Sequence, residues 1–176
     1  MDWLESPLNK QYPITSRGNY KNGKRDGLWE SYNDNGQLVR KGNYKNGKED
    51  GYWESYDEDG QLMSKGNYID GKEDGLWEEY IGIRIKGNYK DGKEDGLWEW
   101  FDENGQIEER GNFKNGKLDL QEWFDKNGQL MQRGFYHDGQ QADLWEGFDE
   151  AGNQEFFDEK GNPVNTEEYK DGELVE

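Results

Sequence analysis

The chain has no cysteine, one histidine, three prolines and few aliphatic residues, and each shortage excludes something. Without cysteine there is no disulfide framework, no thiolate nucleophile and no Cys-based zinc site, which fits a reducing compartment. The lone histidine, His137, sits in Tyr136-His137-Asp138-Gly139 and reads as an exposed turn residue. A triad or zinc site around it needs partners that no motif supplies. No apolar stretch approaches the roughly 20 residues of a membrane-spanning helix. The start, Met1-Asp2-Trp3-Leu4-Glu5, lacks the basic and apolar regions of a secretory signal. A soluble, cytoplasmic protein is therefore expected. Basic residues are short too, 22 against 40 acidic ones for a net charge of −18. With no basic block, the chain repels phosphate backbones and anionic headgroups, so neither nucleic acid nor membrane is expected as a partner. The acidity favours a basic protein partner.

Only 30% of the residues are apolar and mean hydropathy is −1.43, a balance typical of disorder. The aromatic content opposes that reading: at 15% it supplies half of the apolar total. The aromatics are also periodic, which a solvated coil has no need to be. A unit of 24 residues opens at Gly18-Asn19-Tyr20-Lys21-Asn22-Gly23-Lys24 and runs through Asp26-Gly27-Leu28-Trp29-Glu30-Ser31-Tyr32 to Asn35-Gly36-Gln37-Leu38. Its first glycine recurs at Gly42, Gly66, Gly87, Gly111 and Gly134, in steps of 24, 24, 21, 24 and 23 residues. The tryptophan follows at Trp29, Trp53, Trp77, Trp98 and Trp145. Such a period marks an array of supersecondary units that bury their apolar faces only against neighbours.

Within a unit the signals are all β. Leu28-Trp29-Glu30-Ser31-Tyr32 is short, aromatic and bounded by turn residues. Asn33-Asp34-Asn35-Gly36 supplies a tight turn, repeated at Asp57-Glu58-Asp59-Gly60, Asp102-Glu103-Asn104-Gly105 and Asp125-Lys126-Asn127-Gly128. A second strand runs from Gln37 to about Lys45, and Asn46-Gly47 closes it with a strong hairpin dipeptide. If Tyr32 pairs with Leu38, Leu28 falls opposite Gly42. Trp29 and Tyr32 are three apart, so either a bulge near Asp26-Gly27 reconciles them or the sheet carries aromatic stripes on both faces. The third unit drops three residues around Ile81-Gly82-Ile83, the fifth puts Gln121 at the tryptophan position, and the sixth replaces Asp-Gly by Ala142-Asp143. The expected division is an irregular N-terminal cap over 1–17, tandem hairpin repeats over 18–154 and a degenerate C-terminal repeat over 155–176.

The string Gly-Asn-Tyr-Lys-Asn-Gly-Lys-x-Asp-Gly-x-Trp-Glu-x-Tyr-Asp-x-Asn-Gly-Gln-Leu resembles the bacterial MORN-repeat variant, over about residues 18–150. Members are frequently described as antitoxin or immunity components of the YwqK type. The resemblance implies an all-β fold, an elongated, twisted single sheet formed as an antiparallel meander of stacked β-hairpins. Some bacterial relatives carry a lipid-kinase label, but this chain has neither a phosphate-binding Gly-rich loop followed by Lys-Ser or Lys-Thr nor a His-Arg-Asp catalytic loop.

The reading that follows is a non-catalytic, protein-binding scaffold, an antitoxin or immunity-type protein neutralising a toxin, with no catalytic residue and no cofactor. The alternative is a glycan-binding or cell-wall-binding aromatic array. The candidate binding residues are the aromatic stripe of Trp29, Trp53, Trp77, Trp98, Trp145, Tyr32, Tyr56 and Tyr80, whose tryptophans also serve as core. The Asp-x-Asp-Gly strings superficially match calcium loops, but they lie between strands and lack the later bidentate Glu, so they read as turns only. An open sheet also leaves edge strands, a route to homo-oligomerisation.

Overall fold

The computed structural model describes residues 15–148, 154–158, 162–164, 169–170 and 173–174. The expected N-terminal cap lies outside these except for 15–17, and the C-terminal one is described only in part. Fourteen strands form one sheet: β1 (Ser16–Lys21), β2 (Lys24–Tyr32), β3 (Leu38–Lys45), β4 (Lys48–Tyr56), β5 (Leu62–Ile69), β6 (Lys72–Tyr80), β7 (Arg84–Lys90), β8 (Lys93–Glu94), β9 (Gly96–Phe101), β10 (Ile107–Lys114), β11 (Lys117–Phe124), β12 (Leu130–His137), β13 (Gln140–Phe148) and β14 (Gln154–Asp158). Each pairs antiparallel with its neighbours in sequence, and β8 is a two-residue extension beside β7. The sheet runs from β1 to β14 without closing on itself. At about 4.8 Å per strand the meander has a contour of roughly 60 Å. There is no helix among the described residues, and none therefore that is long and apolar enough to cross a membrane.

Two kinds of turn alternate along the two margins of this ribbon. On one margin Asn22, Asn46, Asp70, Asp91, Asn115 and Asp138 have φ of 52–54°, each followed by a glycine at positive φ. Two successive positive φ values are the requirement of a type I′ hairpin, which Asn-Gly and Asp-Gly meet at low cost. On the other margin the turn is held by its first side chain. Asp57 Oδ1 accepts backbone N–H groups from Asp59 at 2.9 Å and Gln61 at 2.8 Å, and Asp102 and Asp125 repeat the arrangement. These carboxylates are spent on the backbone, as expected of turns rather than cation loops. No group of three or more metal-ligating side chains occurs among the described residues.

Tyr32 does pair with Leu38, but a bulge follows immediately: Ser31 pairs with Arg40, leaving Val39 extra on β3. Trp29, not Leu28, is therefore the partner of Gly42, and Leu28 meets Asn43. A larger irregularity sits at Asp26-Gly27, where Gly18 pairs with Trp29 while Tyr20 pairs with Arg25. Neither bulge brings Trp29 and Tyr32 together. Trp29 lies on one face of the sheet, and Tyr32 lies on the other with Glu30.

The repeat irregularities act locally. Loss of three residues in the third unit leaves Ile81-Gly82-Ile83 as a compact loop, and β6 pairs with β7 without the bulge of other units. In the fifth, only Asp119 is extra between the pairs Asn112–Leu120 and Phe113–Leu118.

Candidate binding face

On one face, tryptophans stand between two glycines, as Trp29 does between Gly18 and Gly42 and Trp53 between Gly42 and Gly66. The indole lies over the glycine of the preceding strand. A Cβ on Gly42 would fall 2.0 Å from Trp53 Cδ2, and one on Gly66 would fall 2.2 Å from Trp77 Cδ2. Removing the Cβ is thus what lets the ring lie flat on the strand. The ring is then held in place by its own donor, because Trp29, Trp53, Trp77 and Trp98 Nε1 donate to the carbonyls of Asn19, Asn43, Asn67 and Asn88 at 3.0–3.2 Å. The tyrosine of each Gly-Asn-Tyr falls on the same face by strand alternation. Rings therefore alternate Trp29, Tyr44, Trp53, Tyr68, Trp77, Tyr89, Trp98, edge to face, with centroids 5.1 or 6.0 Å apart. These four tryptophans are only 4–7% exposed although no second layer covers them among the described residues. Their neighbours in the ladder and two arginines do so instead: Arg25 lies 4.4 Å over Trp29, and Arg40 lies 4.3 Å over Trp53.

The opposite face carries charge. Arg17, Glu30, Lys41, Glu54, Lys65, Glu78, Lys86, Glu99, Arg110, Glu122, Arg133 and Glu146 are successive cross-strand partners, so the sign alternates across twelve strands. Ion pairs along this row include Lys41–Glu54 at 2.5 Å, Lys65–Glu78 at 2.8 Å and Arg133–Glu122 at 2.8 Å. Tyr32, Tyr56 and Tyr80 donate hydroxyls to Glu30, Glu54 and Glu78 at 3.0, 2.6 and 2.6 Å. Hydrogen bonds from Lys65, then from Tyr80, hold the Glu78 carboxyl down at about 2. Beside the row stand the exposed side chains of Leu28, Tyr52, Leu76 and Leu97.

The expected aromatic stripe is consequently two stripes. Trp29, Trp53, Trp77 and Trp98 build the ring ladder, while Tyr32, Tyr56 and Tyr80 belong to the charged face. Trp145 departs from its counterparts. It stacks on Trp123 at 5.3 Å, its six-membered ring rather than its five-membered one lies over Gly134, and its Nε1 has no hydrogen-bond partner among the described residues. At the fifth position Gln121 accepts from the Tyr136 hydroxyl at 2.7 Å and donates to Glu109. Sequence reasoning passed over Tyr44, Tyr68, Tyr89, Arg25, Arg40 and the alternating charges. The Gly-x-Tyr spacing signals the first three. The recurring Trp-Glu and Lys/Arg-Gly pairs signal the last, once the register is known.

Because the alternating row sums to zero, the net charge of −18 lies elsewhere. The turn margin built on Asp57, Asp102 and Asp125 carries Asp34, Asp57, Glu58, Asp59, Asp102, Glu103 and Asp125 against Lys126. The Asn-Gly margin interleaves acids with Lys24, Lys48, Lys72, Lys93 and Lys117, and Lys117 pairs with Asp138 at 2.9 Å. Between the two margins the excess acid is on the Asx-turn one, and residues 149–176 add ten acidic residues against Lys160 and Lys170.

Residues 25–46, 49–70, 94–115 and 120–138 match the family model of the MORN repeat variant, so the chain carries four such repeats. No curated protein matches the sequence. Among solved structures, S. aureus TarM (a mutant in complex with fondaparinux, alpha-GlcNAc-glycerol and UDP) aligns with 65% of this chain and 19% of its own, at 12% identity and TM-score 0.32. The GtfA/B complex bound to UDP and GlcNAc aligns with 61% of this chain and 22% of its own, at 10% identity and TM-score 0.28. The chain spans about a fifth of the length of these structures, and at such TM-scores the likeness decides nothing about it.

Proposed function

We propose that this array of MORN-variant repeats is a non-catalytic scaffold of the antitoxin or immunity kind, which neutralises a basic protein partner. The observation that carries the reading is the partition of charge. One face neutralises its own ions, so the long acidic margin of Asx turns is what a partner meets from a distance. That margin adjoins the ring-bearing face, where Arg25 and Arg40 already lie on indoles. A basic surface would be steered to the margin and anchored on the rings beside it. No nucleophile–base pair or cofactor loop recommends a reaction.

The test replaces acids that hold no turn. Glu58→Lys, Asp59→Lys and Glu103→Lys together reverse the margin's charge while leaving Asp57 and Asp102 to cap the backbone. The wild type, co-expressed with a basic toxin-like protein encoded beside it, should relieve growth inhibition and bind it with strong salt dependence. The triple variant should fold and fail on both counts. Equal protection by the triple variant would refute the reading.

A second reading, glycan binding, has one observation in its favour. A cavity of about 480 Å³ is lined by Trp123, Phe148, Phe157, Gln132 and Glu155 among others, a mix of rings and polar groups suited to sugars. Quenching of tryptophan fluorescence by purified wall polysaccharide, abolished by Trp123→Ala, would support it.

A further inference from the structure

Going beyond the scaffold reading, we infer that the charged face is the contact surface of a symmetric dimer. A second copy of this chain lies against it with its strand order reversed. The face carries three parallel rows of side chains. The middle row alternates in sign across twelve strands, from Arg17 to Glu146. On one side of it Leu28, Tyr52, Leu76 and Leu97 recur on every second strand, 46–54% exposed, each with an asparagine as its cross-strand partner. On the other side Tyr56 pairs with Leu62 and Phe101 with Ile107, which makes a second apolar row. A single exposed leucine needs no explanation, but an aligned apolar row on an uncovered sheet face marks a contact surface. None of the three leucines packs into the ring ladder, which lies on the opposite face.

The sign pattern selects the occupant. The row alternates throughout and has an even number of members, so reading it backwards gives its complement. Rotating a second copy by a half-turn about an axis parallel to the strands, between β6 and β7, sets Glu78 over the second copy's Lys86. The same rotation sets Arg17 over the second copy's Glu146, and every cation meets a carboxylate. An axis perpendicular to the strands sets each residue over its own counterpart, so like meets like. A slip of one strand does the same to the whole row. Both alternatives are rejected by repulsion between desolvated charges.

The charges fix the register, and the apolar rows supply the burial, because pairs such as Lys41–Glu54 and Lys65–Glu78 are already made within each copy. In that register each leucine falls over an asparagine, between two side chains of the second copy's row and about 4.8 Å to the side of each. Three rows on twelve strands measure about 20 Å by about 58 Å, roughly 1,100 Å² on each copy. Contact along half of that length still buries the roughly 1,000 Å² in total that a specific interface needs. The acidic margins come side by side in this dimer. It therefore forms best near about 0.15 M salt, where the screening length is about 8 Å, and less well at low salt.

Sedimentation equilibrium of the full chain at that salt tests the inference. The wild type should be a dimer. Leu76→Lys and Leu97→Lys together should weaken it at least ten-fold while circular dichroism stays unchanged, both side chains being about half exposed. The chain has no cysteine, so single cysteines report the register. With Leu76→Cys the two thiols sit across the axis about 8 Å apart, and a short bis-maleimide should link them. With Leu28→Cys they sit about 40 Å apart, and the same reagent should not. A monomer at every concentration, or equal cross-linking at the two positions, would overturn the inference. So would a dimer untouched by the two lysines, which would place the contact at the edge strands instead.

Discussion

Replacing Gly66 by alanine is a test of what these glycines are for. The added Cβ would lie 2.2 Å from both Trp77 Cδ2 and Cε2 and 2.5 Å from Cγ, where ordinary contact begins at 3.4 Å. The indole must therefore move by more than 1 Å, and it cannot do so freely. It donates to the Asn67 carbonyl at 3.1 Å and touches Tyr68 and Tyr89 at 5.1 and 6.0 Å. Stretching that hydrogen bond costs about 1 kcal/mol, and loosening each ring contact costs about 0.5–1.5 kcal/mol. A destabilisation of about 3 kcal/mol follows, within the upper range for an overpacked core. Gly111→Ala is the control. There the new Cβ meets the ends of flexible side chains, Phe113 Cε2 at 2.9 Å and Leu118 Cδ1 at 3.1 Å, and a cost of about 1 kcal/mol is expected. Urea unfolding followed by both tryptophan fluorescence and far-ultraviolet circular dichroism reads the difference, two probes being needed because arrays need not unfold in one step. If Gly66→Ala costs no more than Gly111→Ala, the ring-over-glycine account is wrong.

Other variants examine the remaining features. Gln121→Trp restores the repeat pattern yet should destabilise by about 1–3 kcal/mol, because Phe113, Leu118 and Trp100 already crowd Gly111, over which the new ring would have to lie; thermal melting decides it. Glu78 has its folded-state pKa lowered to about 2, so its contribution is present above its ordinary carboxylate value and lost as pH falls through about 2. Acid titration of the melting temperature should thus be shallower for Glu78→Gln than for wild type between about pH 5 and 2. Glu79 has the opposite sign: its raised pKa makes the ionised form a liability, present at neutral pH and relieved as pH falls below the folded-state value. Glu79→Gln should raise the melting temperature at pH 7, and that gain should vanish near pH 4.

How much of this was legible beforehand follows from register. The hairpins were readable because Asn46-Gly47 and Asp57-Glu58-Asp59-Gly60 carry their own conformational preferences, and those are local. The pairing of Tyr32 with Leu38 was readable for the same reason, being set by the turn between them. One residue further on, the extra Val39 shifts the strands, and Trp29 rather than Leu28 arrives opposite Gly42. A single bulge is enough to exchange the two faces, since side chains alternate with period two. The expected stripe mixed ladder tryptophans with Tyr32, Tyr56 and Tyr80, although a spacing of three on an unbulged stretch puts the two sets on opposite faces, the second of the two alternatives that the sequence offered. The bulge is why the row from Arg17 to Glu146 went unread, although every Trp-Glu and Lys/Arg-Gly pair was visible. The division of labour between the faces is a property of pairing, which a linear string does not display.

That division explains how so acidic a chain can hold a sheet with no second layer among the described residues. Carboxylates directly opposite one another would repel across a gap of about 5 Å. Here each Glu of the charged row faces a cation on both neighbouring strands, except Glu146, whose second neighbour is Phe156. Excess acid is placed at the turns, where water screens it and backbone N–H groups engage part of it. On the ring face, by contrast, no cation row is needed: Arg25 and Arg40 reach their indoles from different positions of the unit, Ser16, Ser64 and Ile85 stand where Arg40 does, and Trp77 and Trp98 are nearly as buried as Trp29 and Trp53.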